Sequence, residues 1–169
     1  NITYDDIQIK AIDAGINNNI TIITGGPGTG KTTIIKAIVT ILKEANKLKD
    51  TDIALLAPTG RAAKKMMESA GISASTIHKY LGWDKDTNTF QTDEYCPKSE
   101  KYIIVDEVSM VDSQLMYFLV RAIKRGAKLV LVGDKDQLAS VGAGNVLADM
   151  LSSECFATMC LTQIYRQSE

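Results

Sequence analysis

The chain has 169 residues, 45% hydrophobic and 23% charged, which suits one globular domain with an ample core. A formal net charge of −1 and a pI near 5.9 exclude a global basic field, so any grip on nucleic acid must come from local loops. No apolar run is long enough to span a bilayer and no leader pattern opens the chain, so a cytoplasmic protein without membrane partners is expected. Cys96, Cys155 and Cys160 are odd in number and lack paired zinc spacing, and there is one histidine. They read as reduced thiols, buried or inert, with no zinc site. The chain opens on Asn1 rather than Met, as expected of a monomeric piece cut from a longer protein.

In chain order, Thr3 precedes apolar residues at Tyr4, Ile7, Ala11 and Ala14, spaced for one face of a helix, and Thr3 with Asp6 has the form of a capping box. ITIIT (20–24) is a short β-branched run, predicted as a buried strand, and 32–46 as the helix after it. IALLA (53–57) is a second strand with a helix over 60–70. KYIIVD (101–106) is a third, with a helix over 112–124 that Asp112 is placed to cap. KLVLVG (128–133) is a fourth and FATMCL (156–161) a fifth. Apolar strands alternating with amphipathic helices predict an α/β domain of three layers: a central, mainly parallel sheet, doubly wound, with its site beyond the carboxyl ends of the strands. The polar, turn-rich segment 82–100 breaks the alternation and reads as a small inserted hairpin.

The polar motifs fall just after strands. GGPGTGKT (25–32) matches the phosphate-loop pattern between a strand and a helix. Its glycines let backbone N–H groups point inward at phosphate oxygens, and the helix N-terminus adds partial positive charge. Gly25, Gly26, Pro27, Gly28, Thr29, Gly30, Lys31, Thr32 and Thr33 are therefore expected around a bound ATP. Lys31 would lie on the β- and γ-phosphates and the Thr32 hydroxyl on Mg²⁺. IIVDEVSM (103–110) ends a strand with two carboxylates. Asp106 is suited to hold Mg²⁺ and Glu107 to polarise the water that attacks the γ-phosphate, which favours hydrolysis over mere binding. In LVGDKDQLASVGAGN (131–145), Gln137 can both donate and accept hydrogen bonds and is a candidate sensor of the γ-phosphate. APTGRAAKK (57–65) places Thr59, Arg61, Lys64 and Lys65 at a loop and helix start, where phosphates can be met. Residues 57–82 carry a net charge of +3 and 83–100 a net charge of −3, so the former is where a nucleic-acid strand could lie. His78, alone, reads as a packed side chain.

Taken in this order, GGPGTGKTT, APTGRAA, TIHKYLGW, IIVDEVSMVD, VGDKDQLASVGAGN and LTQIYRQ, with Gln8 before them, resemble the first RecA-like motor domain of a superfamily 1 helicase. The likeness is to the RecD type, a family that includes the alpha subunit of exodeoxyribonuclease V and the helicase parts of conjugative relaxases. It spans nearly the whole chain. The resemblance implies a P-loop NTPase fold and an ATP-driven DNA motor running 5′ to 3′ on single-stranded DNA, within a larger repair or conjugation complex. It implies that Gln8 meets the adenine edge and that Gln137 couples the γ-phosphate to the DNA loops. Pro58, Thr59, Gly60 and Arg61 would meet the DNA backbone, with Thr76 and His78 nearby. Arg166 would reach the γ-phosphate. Residues 82–100 would be the counterpart of the small domain that carries a strand-separating pin, here short. A second motor domain, which completes the ATP cleft in this family, has no motifs in these residues. A superfamily 1 RNA helicase and a non-translocating ATPase switch are the competing expectations.

Overall fold

The computed structural model describes residues 3–138 and 141–164. Its first helix, α1 (Asp6–Asn17), starts two residues later than a Thr3 cap would place it. The capping box is built by Asp5 and Gln8: the Gln8 amide donates to Asp5 Oδ1 (2.6 Å), and the Asp5 amide donates to Gln8 Oε1 (3.1 Å). Thr3–Asp6 has the right spacing, but Asp6 already lies in the first turn, and the Asp5 carboxylate is the acceptor that reaches the N3 amide.

The chain continues through β1 (Ile20–Gly25), α2 (Lys31–Glu44), β2 (Ile53–Ala57), α3 (Gly60–Ala70), β3 (Ala74–Thr76) and α4 (Ile77–Leu81). A two-residue antiparallel ladder, β4 (Trp83–Asp84) with β5 (Thr89–Phe90), follows. Then come β6 (Tyr102–Val105), α5 (Ser113–Ala122), β7 (Lys128–Gly133), α6 (Val146–Ser152) and β8 (Ala157–Leu161). The main sheet has the order β3-β2-β6-β7-β1-β8, and every pairing in it is parallel.

Parallel strands need covered faces, and adjacent residues of each strand divide between two cores. Ile23, Leu55, Ile104 and Val130 face α1, α2 and α3, whose Ile12, Ile34, Ile38 and Met66 complete one core. Ile22, Leu56, Ile103 and Leu131 face α4, α5 and α6, with Ile77, Leu81, Leu115, Leu119 and Leu147. Three layers result, as the alternation of the sequence predicts. α1 lies close on α2: a Cβ on Gly15 would stand 2.9 Å from Ile38 Cδ1, and the Tyr102 hydroxyl donates to the Gly15 carbonyl. Burial pushes that phenol well above its usual range.

Short elements escape the sequence pattern. β3 and α4 occupy eight residues of TIHKYLGW and its approach, too few to show a period. α6 begins where the Asn145 side chain accepts from the Ala148 amide. The cysteines also depart from expectation, for all three are exposed. Cys160 lies on the edge strand β8, where burial alternates and Cys160 and Thr158 take the outward positions, while Cys96 sits in the polar insertion.

Candidate nucleotide site and flanking loops

The site is assembled at the carboxyl ends of three neighbouring strands, β6, β7 and β1. After β1, Gly28 (φ 76°) and Gly30 (φ 85°) take left-handed backbone conformations that open the loop into α2. Gly25 is needed for a different reason: a Cβ there would stand 2.5 Å from Thr29 Oγ1 and 2.9 Å from Leu161 Cβ. Thr29, buried, closes the turn by donating to the Gly26 carbonyl (2.7 Å). The Lys31 ammonium folds back on the same loop, donating to the carbonyls of Gly25 (2.5 Å) and Gly26 (2.8 Å).

β6 ends in Asp106 and Glu107. Asp106 Oδ1 accepts from the Glu107 amide (2.8 Å), and Glu107 is held at φ 53°, a left-handed conformation unusual for a side-chain-bearing residue. Burial pushes the Asp106 carboxyl above its usual range. The Glu107 amide acts against that shift, the Glu107 charge adds to it, and Lys31 and Lys65 oppose it. Glu107 opens a 3-10 turn, Val108–Met110, that lies directly on the end of β7. A Cβ on Gly133 would be 2.8 Å from Val108 Cγ1 and 3.3 Å from the Ser109 amide. After β7, the Gln137 amide donates to the Asp134 carbonyl (3.2 Å), and Gln137 Oε1 accepts from the Ser109 hydroxyl (3.0 Å).

A cleft of about 590 Å³ brings together Gln8, the loop residues Gly28 to Thr33, Asp106 and Glu107. Gly25, Gly26, Pro27 and Gln137 are not on its wall, and Arg166 lies outside the described residues. Lys65 and Ser69, one helical turn apart on α3, do line it, as does Lys36 of α2. This corrects the placing of Lys65 with the nucleic-acid loops. Its neighbour Lys64 points to solvent beside Glu68, 3.9 Å away. The signal that could have separated them is helical phase: Lys65 and Ser69 share a face that Lys64 does not.

The other predicted loops meet at the paired ends of β2 and β3, where Ala57 is in register with Thr76. Thr59 caps α3 by accepting from the Ala62 amide (3.2 Å), and Thr76 caps α4 by accepting from the Lys79 amide (3.2 Å). Thr59, Gly60 and Arg61 are exposed there and Pro58 is half-buried. His78 is exposed but packed, its ring 5.9 Å from Phe90 and 6.1 Å from Trp83. Trp83–Phe90 (4.7 Å) and Phe90–Phe118 (4.8 Å) continue the stack onto α5. Sequence reasoning missed this cluster because His78, Trp83 and Phe90 follow no helix or strand period and Phe118 joins them from 28 residues on. It also missed Ser109, a small polar residue inside a motif dominated by its carboxylates.

Comparison with known proteins follows the same lines. The family described as AAA domain matches residues 8–143. The chain belongs to this family. This AAA domain is 38% identical over 161 residues to the ATP-dependent RecD2 DNA helicase of Deinococcus radiodurans, covering 95% of the chain and 21% of that protein. It is 39% identical over 165 residues to the RecBCD enzyme subunit RecD of Mycobacterium tuberculosis, covering 86% of the chain and 28% of that protein. The chain therefore spans about a quarter of the length of these relatives. Among solved structures, the Pif1 helicase of Candida albicans superposes with a TM-score of 0.74 at 25% identity, over 98% of this chain and 41% of that one. The P-loop NTPase fold and the RecD-type likeness read from the sequence both stand on these matches.

Proposed function

We propose that this AAA domain is the first motor domain of an ATP-dependent DNA helicase moving 5′ to 3′ on single-stranded DNA. The observation that carries the reading is the single cleft in which the phosphate loop, Gln8 and the Asp106–Glu107 pair face one another. The donor set fits a hard cation: the Thr32 hydroxyl and the Asp106 carboxylate are oxygen ligands on the wall of one cleft. They would hold Mg²⁺, which would supply charge neutralisation on the phosphates. Lys31 leaves the loop carbonyls to bind the β- and γ-phosphates, and the backbone amides of Gly28 to Thr33 surround them. Gln8 orients the adenine, and Glu107 polarises the attacking water. Gln137 senses the γ-phosphate and Arg166 meets it as charge develops.

Pro58 to Arg61 and the Thr76–His78 segment, adjacent at the β2–β3 edge, form the DNA track. Residues 82–100 are the short counterpart of the pin-bearing insertion. A second motor domain supplies the other wall of the cleft and the rest of the track. Alone, the 169-residue chain then binds nucleotide weakly, hydrolyses it slowly and does not unwind a duplex. The reading is tested in the full-length protein by ATP turnover with single-stranded DNA or RNA. Strong stimulation by DNA is expected, with loss of that turnover in Glu107→Gln. Equal stimulation by RNA would move the assignment to an RNA helicase. No stimulation by either would favour a nucleotide switch.

A further inference from the structure

The two loops that read the nucleotide leave adjacent strands, β6 and β7, and one side-chain hydrogen bond joins them: Ser109 Oγ to Gln137 Oε1, 3.0 Å. Ser109 is 6% exposed, and its hydroxyl donates to Gln137 among the described residues. A buried hydroxyl needs an acceptor for its proton. The backbone of Ser109 is held in place, because the 3-10 turn that carries it rests on Gly133, where a Cβ would stand 2.8 Å from Val108 Cγ1 and 3.3 Å from the Ser109 amide. The Gln137 backbone is held independently by its bond to the Asp134 carbonyl, inside a turn whose Asp134 carboxylate accepts from the Asp136 amide (3.0 Å). Both ends of the bond are thus anchored.

We infer that Ser109 is a positioning residue that fixes the orientation of the Gln137 amide, so that Gln137 presents its NH₂ donors, and not its oxygen, to the γ-phosphate. A free glutamine can offer either end. Phosphate oxygens only accept, so the flipped amide would set oxygen against oxygen and lose the contact. With Oε1 committed to Ser109, only the productive orientation remains. The same bond ties Gln137 to the turn that begins at Glu107, so a shift of the Gln137 loop is felt beside the water-polarising carboxylate. The inference rests on the proposed role of Gln137 as γ-phosphate sensor, in which a bound triphosphate reaches Gln137 just beyond the cleft wall that the described residues form.

The test is the ratio of affinities for a non-hydrolysable ATP analogue and for ADP, titrated by fluorescence on the full-length protein. Ser109→Ala is expected to lower the ATP-over-ADP preference about tenfold, the worth of one hydrogen bond to a charged group, with ADP affinity unchanged. A merely structural loss would weaken both nucleotides together. Ser109→Thr, which keeps the hydroxyl, should restore the preference. Ser109→Ala combined with Gln137→Ala should be no worse than Gln137→Ala alone. Should the buried substitution unfold the chain, the exposed Gln137→Glu serves. It keeps an acceptor for Ser109 but removes the donors and sets a negative charge against the phosphate, and should lower the preference at least as far as Gln137→Ala. An intact preference in Ser109→Ala, where Gln137→Ala loses it, overturns the role of Ser109 alone. An intact preference in Gln137→Ala overturns the sensor reading on which it rests, and with it the inference.

Discussion

The nucleotide cleft and the 82–100 insertion are held together by different physics. In the cleft, position is set by backbone: three parallel strands end side by side, and their loops are tied by amides, carbonyls and glycines with no space for a Cβ. In the insertion the ladder is two residues long, and order comes from rings of Trp83, Phe90 and Phe118 stacked at 4.7 and 4.8 Å. Its acidic side is tied to α5 by the exposed Arg121–Glu94 pair, which holds the Glu94 carboxyl below and the guanidinium above their usual ranges. Being exposed, this pair adds little stability. The contrast teaches that the cleft is placed where the backbone leaves no choice, whereas the 82–100 segment is shaped by side-chain packing.

Substitutions on the two sides should therefore separate function from stability. The largest effect expected is for Lys31→Ala, which should weaken ATP binding by about a hundredfold through lost charge-assisted bonds. The melting temperature should barely change, as a nucleotide titration beside a thermal melt would show. A comparable loss of fold would mean that Lys31 holds the loop rather than the ligand. Trp83→Ala should do the reverse, costing about 2 kcal/mol in denaturant unfolding for a half-buried ring while nucleotide affinity stays unchanged. Gly133→Ala crosses the boundary. A methyl pressed on Val108 and the Ser109 amide should cost about 1–2 kcal/mol and slow ATP turnover, since the turn it displaces carries Glu107. The smallest effect, about fivefold, is expected for Lys65→Ala, and it should fall on nucleotide affinity rather than on DNA affinity. A change confined to DNA binding, read by anisotropy, would return Lys65 to the nucleic-acid side.

The long elements were legible in the residues. IALLA, KLVLVG and the helix over 60–70 fold within the bounds that their composition and period indicate, and Asp112 does cap α5 by accepting from the Leu115 amide (2.8 Å). A buried strand and an amphipathic helix each declare themselves locally. The Thr3 cap failed by two residues because several nearby acceptors shared the right spacing, and geometry selected Asp5. Of the expectation that the cysteines are buried or inert, burial failed; for Cys160 the reason is that a strand's exposure depends on whether a neighbour covers it, and β8 is an edge.

By itself, then, the sequence determined the alternating α/β architecture, the phosphate loop and the carboxylate pair, since each depends on residue type and short spacing within one segment. Tertiary structure alone decided which segments meet. It put Lys65 into the cleft, gathered His78, Trp83, Phe90 and Phe118 into one stack, and set Ser109 against Gln137 across 28 residues. The last of these follows from the pairing of β6 with β7 and the others from how helices and the β4–β5 ladder pack, none of which local spacing records.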